Sequence, residues 1–251
     1  MVSIKSDEEI HLLRIAGRIV HDTRNFLIPY IKEGVTTKEL DKLASDYIMI
    51  RGGAASFKGY MGFPYSICTS INEEVAHGLP SKRKLRNGDI ISIDIGVCFQ
   101  GFHADSAWTY AVGEISCERR RVMEGTKEAL FKAINVIKPG NHISDITNAI
   151  YEVSQKYGLN IVKETSGHGI GRDLHEEPDI PNIKGRGFDE ELQEGMVICI
   201  EPTFAVGRGD VETIDDNWTI ETVDNSSTAH YEHTVLVTSD GYEILTGGID
   251  G

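Results

Sequence analysis

Leu85-Arg86-Asn87-Gly88-Asp89-Ile90-Ile91-Ser92-Ile93-Asp94 returns, 107 positions later, as Leu192-Gln193-Glu194-Gly195-Met196-Val197-Ile198-Cys199-Ile200-Glu201. In each copy a leucine and a glycine open a run of β-branched apolar residues that ends on a carboxylate, the pattern of a tight turn feeding a strand. A second echo keeps nearly the same spacing: Ile31-Lys32-Glu33-Gly34 recurs as Ile137-Lys138-Pro139-Gly140, and each is followed by a helical pattern, over 37–50 and 143–157. One such match between turns could arise by chance. Two at one offset predict a pair of α/β halves, each helix, helix, strand, around an approximate twofold that places Asp94 and Glu201 at the ends of equivalent central strands. The halves run roughly over 1–112 and 113–251 of a single domain, 1–251.

Outward from these turns the helix signals are explicit. Ser6 with Glu9 and Thr36 with Glu39 are capping boxes. The first opens an apolar stripe of Ile10, Leu13, Ala16, Ile19 and Val20, disturbed at Pro29 and Gly34; the second opens a helix that should stop at Gly52-Gly53. Further helices are predicted over 118–137 and 143–157, and strands over 89–112 and 196–245, including 231–238. Grouped rather than alternating elements predict an α+β fold with a mixed, mostly antiparallel sheet and helices on its outer face. The glycine-rich stretch 165–187 reads as a long irregular segment, of the kind that is usually functional.

Composition narrows the function. With 39 acidic and 25 basic residues the chain carries a formal charge of −14, which repels phosphate backbones and argues against nucleic acid as a specific partner. The basic cluster Lys82, Arg83, Lys84 and Arg86 reads first as a solvated loop. No apolar run reaches the ~18 residues of a membrane span, and the acidic start, with Asp7, Glu8 and Glu9, lacks the apolar core of a signal peptide; a cytoplasmic monomer is expected. Cysteines at 68, 98, 117 and 199 are spaced for neither a zinc knuckle nor a disulfide framework, so free thiols are expected.

Asp94 and Asp105 both fall within a strand hairpin. A four-residue loop over 98–101 sets them directly opposite, about 5 Å apart; a two-residue turn at Gln100-Gly101 is the competing register. Opposed carboxylates call for protonation or a cation, and the repeat brings Glu201 to the same neighbourhood, with Val197 and Cys199 on its strand face and Ile198 and Ile200 pointing away. Three gathered acids favour a divalent metal. His168 lies between glycines in Ser166-Gly167-His168-Gly169-Ile170-Gly171, where close backbone approach to an ion or substrate is possible. His175 follows, and His77 stands upstream in Ala76-His77-Gly78-Leu79-Pro80. Any one of these histidines taken alone reads as structural.

Ile93-Asp94-Ile95-Gly96, Gly101-Phe102-His103-Ala104-Asp105, Gly167-His168-Gly169-Ile170-Gly171, His175-Glu176-Glu177-Pro178, Ile200-Glu201-Pro202 and Tyr231-Glu232-His233-Thr234 together resemble the motifs of type I methionine aminopeptidases, dinuclear metallopeptidases of the pita-bread fold. The resemblance spans nearly the whole chain. It implies metal ligands Asp94, Asp105, His168, Glu201 and Glu232, the last of which spacing alone does not place. Four carboxylates balance two divalent ions, and oxygen-rich ligation with one imidazole suits cobalt, manganese, iron or zinc without choosing among them.

The resemblance further implies a metal-bridged hydroxide attacking the scissile carbonyl, Glu201 moving the proton, and His77 and His175 hydrogen-bonding the substrate carbonyl and oxyanion. It implies a methionine pocket walled by Phe57, Tyr60, Phe63, Cys68, Leu174 and Trp218, each of which alone also reads as ordinary core. Leu174, where the family commonly has an aromatic, and Ala104, where glycine is usual, bear on pocket shape. Only 33 positions separate His168 from Glu201, too few for the insertion of type II enzymes. The expected reaction is removal of the initiator methionine from nascent chains when the second residue is small, with a prolidase or Xaa-Pro aminopeptidase of the same fold, or a non-catalytic peptide-binding module, as alternatives. Ribosome docking through the 82–86 cluster is a further expectation.

Overall fold

Both predicted capping boxes close in the computed structural model, which describes residues 2–248. The Ser6 and Thr36 hydroxyls accept from the N–H groups of Glu9 and Glu39, whose carboxylates accept in return from the cap N–H groups. They start α1 (Asp7–Leu27) and α2 (Thr37–Ile50). α3 (Cys117–Ile134) and α4 (Ile143–Tyr157) fall close to their predicted spans. The strands are β1 (Ala54–Ala55), β2 (Ile67–Ile71), β3 (Glu74–Ala76), β4 (Ile90–Phe99), β5 (Phe102–Ala111), β6 (Asn160–Ile161), β7 (Ser166–Gly169), β8 (Glu176–Pro181), β9 (Val197–Ile200), β10 (Thr203–Ala205), β11 (Val211–Thr213), β12 (Ile220–Thr222), β13 (Thr228–His230), β14 (His233–Val237) and β15 (Tyr242–Ile244). Every pairing among them is antiparallel. Two larger sheets, β4 with β1, β2 and β5, and β15-β14-β9-β7-β8, carry the two halves.

The internal repeat is written in matching hydrogen bonds. Gly34 N–H donates to Leu85 O at 2.9 Å and Gly140 N–H to Leu192 O at 3.0 Å; Leu85 N–H donates to Val35 O at 2.9 Å and Leu192 N–H to Asn141 O at 2.7 Å. Isolated bridges join Thr36 to Lys84 and His142 to Glu191. Gly34 and Gly140 share a φ of +86°, a left-handed turn that glycine adopts without strain, which explains why both copies keep it.

Strand alternation then sorts the side chains. Ile91, Ile93, Ile95 and Val97 turn to one core, against Leu40, Ala44 and Ile48 of α2 and Ala16, Ile19 and Val20 of α1. Ile198, Ile200, Val235 and Val237 turn to the other, against Leu130, Ala133, Ile146 and Ile150 of α3 and α4. Each fully buried branched side chain stabilises by roughly 1.5–3 kcal/mol, so a register slip of one residue in either strand is strongly disfavoured. What remains on the opposite faces, Asp94 and Cys199 among them, looks into the space between the halves.

Three details differ from expectation. The β4–β5 hairpin turns on two residues, Gln100 and Gly101, with φ of +49° and +84°, so Asp94 pairs with Ala107 and Asp105 with Gly96. The carboxylates are diagonal neighbours rather than directly opposed; because the offset is two residues, they keep one face. Asp94 stands in mid-strand, whereas Glu201 follows the last residue of β9. The 165–187 stretch contains β7 and β8, so it is largely ordered sheet.

The two halves meet where the free edge of β5 faces residues 228–234. Thr234 Oγ1 accepts from Asp105 N–H at 3.0 Å and donates to Asp105 O at 2.8 Å. Ser106 Oγ donates to Glu232 O at 2.6 Å, Glu232 N–H to Ala107 O at 2.8 Å, and His230 N–H to Thr109 Oγ1 at 2.9 Å. Side-chain hydroxyls stand in for a continuous ladder, and Asp105 and Glu232 are fixed next to one another from opposite halves.

Candidate metal centre

A cavity of about 270 Å³ lies between the halves, and every candidate residue lines it: Asp94, Asp105, His168, Glu201 and Glu232 with His77 and His175, and Phe57, Tyr60, Phe63, Cys68, Leu174 and Trp218. Asp105, His168, Cys199 and Glu232 form one donor group, one ligand atom of each lying within 4.8 Å of the others. Glu201 joins through His168, whose Nε2 is 3.6 Å from Glu201 Oε1 and 3.8 Å from Asp105 Oδ2. The His168 ring is oriented by a 2.8 Å hydrogen bond between Nδ1 and Gly169 O; a carbonyl only accepts, so Nδ1 carries the donated proton and Nε2 is the nitrogen that faces the acids.

The flanking glycines serve the sheet, contrary to the expectation of close approach to a ligand. A Cβ at Gly167 would lie 2.1 Å from Cys199 O, and one at Gly169 would lie 2.2 Å from Glu177 O. β7 is squeezed between β9 and β8, and only glycine fits on either side of the histidine.

Burial and mutual repulsion push these acids far from their ordinary range. Asp94 is raised to about 7, first by desolvation and then by Asp105 and Glu201, against the pull of His230. Glu201 is raised to about 8 by desolvation and by Asp105 and Asp179, opposed by His168. Glu232 is held well above the usual carboxylate range by burial and by Asp105, Glu201 and Asp94. Such a set is stable only when partly protonated or when cations neutralise it. Asp94 Oδ1 and His230 Nε2 are buried without a hydrogen-bond partner, and the unmatched carboxylate oxygen is a donor suited to a cation.

Two further residues, to which the sequence assigned no role, stand with these acids. Cys199 donates from Sγ to Asp105 Oδ1 at 2.8 Å, and burial raises its thiol well above the ordinary value, so it serves as a neutral donor. His230 lies on the cavity wall with Nε2 3.5 Å from Glu201 Oε2. Their signal was strand alternation, since each stands two residues before a candidate acid, Glu201 or Glu232.

His77 has a left-handed backbone, φ +56°, a strained conformation that persists where surrounding structure dictates it. His175 Nδ1 is 2.8 Å from Tyr60 Oη, and its ring centroid is 4.3 Å from that of His168. Burial and the neighbouring His168 lower its pKa to about 4, which keeps it neutral. Phe63 packs edge-on against Trp218 at 5.1 Å between centroids, and both rings line the cavity.

The model of metallopeptidase family M24 matches residues 11–239. The chain belongs to that family. Membership implies a bound divalent metal, and the buried Asp, His, Cys and Glu cluster has donors suited to one. Methionine aminopeptidase 1 of Bacillus subtilis is 46% identical over 246 residues, covering 98% of this chain and 99% of that one. The crystal structure of methionine aminopeptidase from Thermotoga maritima superposes with a TM-score of 0.96 at 40% identity, covering 99% and 100% of the two chains. Prolidase from Pyrococcus furiosus matches with a TM-score of 0.81 at 25% identity, but this chain covers only 65% of it. The α+β pita-bread expectation therefore holds. All four cysteines are free, and among the described residues no helix is long and apolar enough to cross a membrane. Arg83 of the basic cluster is paired with Glu73 and Glu74.

Proposed function

We propose that this member of the M24 family is a methionine aminopeptidase that removes the initiator methionine from nascent chains in the cytoplasm when the second residue is small, with 1–251 acting as one catalytic unit. The observation that carries the reading is the joining, in one cavity, of a buried carboxylate–imidazole cluster to an aromatic pocket. Asp94, Asp105, His168, Glu201 and Glu232 would hold two divalent ions, whose +4 offsets four carboxylates. Cobalt, manganese, iron and zinc all suit these donors. When bound, such ions supply Lewis-acid polarisation of a carbonyl and a lowered water pKa.

The chain's own groups do the rest. Glu201, with its carboxyl raised to about 8, is suited to accept a proton from water and return it to the departing amine near neutral pH. Tyr60 Oη and His175 Nδ1 share a 2.8 Å hydrogen bond; with the hydroxyl as its donor, Nε2–H is left to hydrogen-bond a substrate oxygen. His77 stands across the cavity for the same task. Phe57, Tyr60, Phe63, Cys68, Leu174 and Trp218 enclose a flexible thioether and exclude water.

The test is to incubate metal-reconstituted protein with Met-Ala-Ser and with Gly-Pro, with and without chelator. Free methionine from the first peptide, none from the chelated sample and no cleavage of Gly-Pro are expected. Full metal occupancy without methionine release would end the reading.

A further inference from the structure

Gly171 and Glu176 have no part in the mechanism above, and a lysine from the far end of the chain accounts for both. The side chain of Lys5 is 3% exposed, and its ammonium donates to Glu176 Oε2. The other carboxylate oxygen, Oε1, accepts from Asp173 N–H at 3.2 Å. Glu176 thereby closes the bend 171–175, which joins β7 to β8 and brings Leu174 and His175 to the cavity wall. Gly171 makes the room: a Cβ there would lie 2.6 Å from Lys5 Nζ and 2.8 Å from Glu176 Oε1. Lys5 is itself held from outside the bend. Val2 packs on the core beneath α3 and α4, and Lys5 N–H donates to Gly195 O at 2.8 Å, so residues 2–5 cross from α1 in the first half to the turn before β9 in the second. At the surface, Arg172 of the same bend pairs with Glu9 of α1 at 3.0 Å. A buried ion pair often adds no net stability over an apolar pair of like volume. What an ammonium wedged against one carboxylate does fix is position.

We infer that Lys5 is a positioning residue for the reaction: acting through Glu176, it fixes the 171–175 bend so that the His175 imidazole meets Tyr60 Oη at 2.8 Å and Leu174 stays buried against Ile10 and Leu13 of α1. Residues 2–5 do not line the cavity, yet they set the aim of a group that does. Without the pair, Glu176 is free to turn outward and the bend loosens around His175. The inference rests on the reading of His175 as a hydrogen-bond donor to substrate.

The test measures Met-Ala-Ser cleavage and metal per chain in metal-loaded, full-length wild-type, K5M, E176Q, H175A and K5M/H175A proteins, well below their melting temperatures. K5M and E176Q should each lower kcat by about 10- to 100-fold with metal per chain unchanged. In the H175A background K5M should change kcat by less than about twofold, because the route through His175 is already cut. In metal-free protein labelled with ¹⁵N-histidine, the His175 ring resonances, assigned by their absence in H175A, should shift in K5M and in E176Q. Wild-type kcat in K5M or E176Q, loss of metal from either, or an undiminished effect of K5M in H175A protein overturns the inference. E176Q keeps the shape of the side chain and its acceptor for Asp173 N–H, so it decides the matter should K5M not fold. Wild-type kcat in H175A, or no methionine release by the wild-type protein, overturns instead the reading on which the inference rests.

Discussion

Stripping the metal exposes the electrostatic cost of the site, and pH gauges it. Asp94 and Glu201 have folded-state pKa values of about 7 and about 8, against ordinary values of 3.8 and 4.5. Because both are raised, the folded metal-free protein holds more protons than the unfolded chain, and stability falls as pH rises through the folded values. The informative window is pH 6.5 to 8.5. Below it the buried histidines, with depressed values at His77, His175, His230 and His233, add an opposite slope that ends near their unfolded pKa. Integrating the two carboxylates across the window gives a loss of about 3 kcal/mol, at 1.36 kcal/mol per pKa unit. For a chain of this size that is a fall of roughly 5–10 °C in Tm. Chelator-stripped, dialysed protein is melted by differential scanning fluorimetry at both pH values, beside protein loaded with a divalent ion. The stripped protein should lose stability at the higher pH and the loaded protein should not. Equal or greater stability of the stripped protein at pH 8.5 would refute the claim that unneutralised acids dominate this cavity.

Two substitutions probe other parts of the argument. His77→Ala should lower kcat by about 10²-fold or more while elemental analysis finds unchanged metal per chain; a matching loss of metal would make His77 a ligand instead. Gly169→Ala places a methyl 2.2 Å from Glu177 O and should cost about 1–3 kcal/mol by chemical denaturation, with weakened metal binding because His168 moves with its strand; unchanged stability would show that β7 has slack.

Much of the fold was legible because it is stated twice. The capping boxes, the paired glycine turns and the isoleucine alternation each act over a few residues, and each appears in both halves. The hairpin register was ambiguous because a two-residue turn needs positive φ at both Gln100 and Gly101, and glutamine is not the residue that announces it. The 165–187 stretch looked irregular because its glycines were read as freedom, when Gly167 and Gly169 answer to crowding from neighbouring strands. Asp94 and Glu201 could be brought near one another by symmetry, whereas Glu232 depends on a hydroxyl seam between halves that no local pattern encodes. Cys199 and His230 were passed over for a related reason: a thiol and an imidazole carry no surplus charge, so neither creates the imbalance that drew attention to the acids.

That seam has a consequence for how the molecule is assembled. Asp94 and Asp105 belong to the first half, and His168, Glu201 and Glu232 to the second, so on the proposed ligand set neither half would own a complete coordination sphere. Binding of ions by that set would then be coupled to the packing of the two halves against one another. An ion held there would act as a rivet whose grip reports how well the halves are aligned, and a mutation far from the cavity that tilts one half should register first as weakened metal affinity.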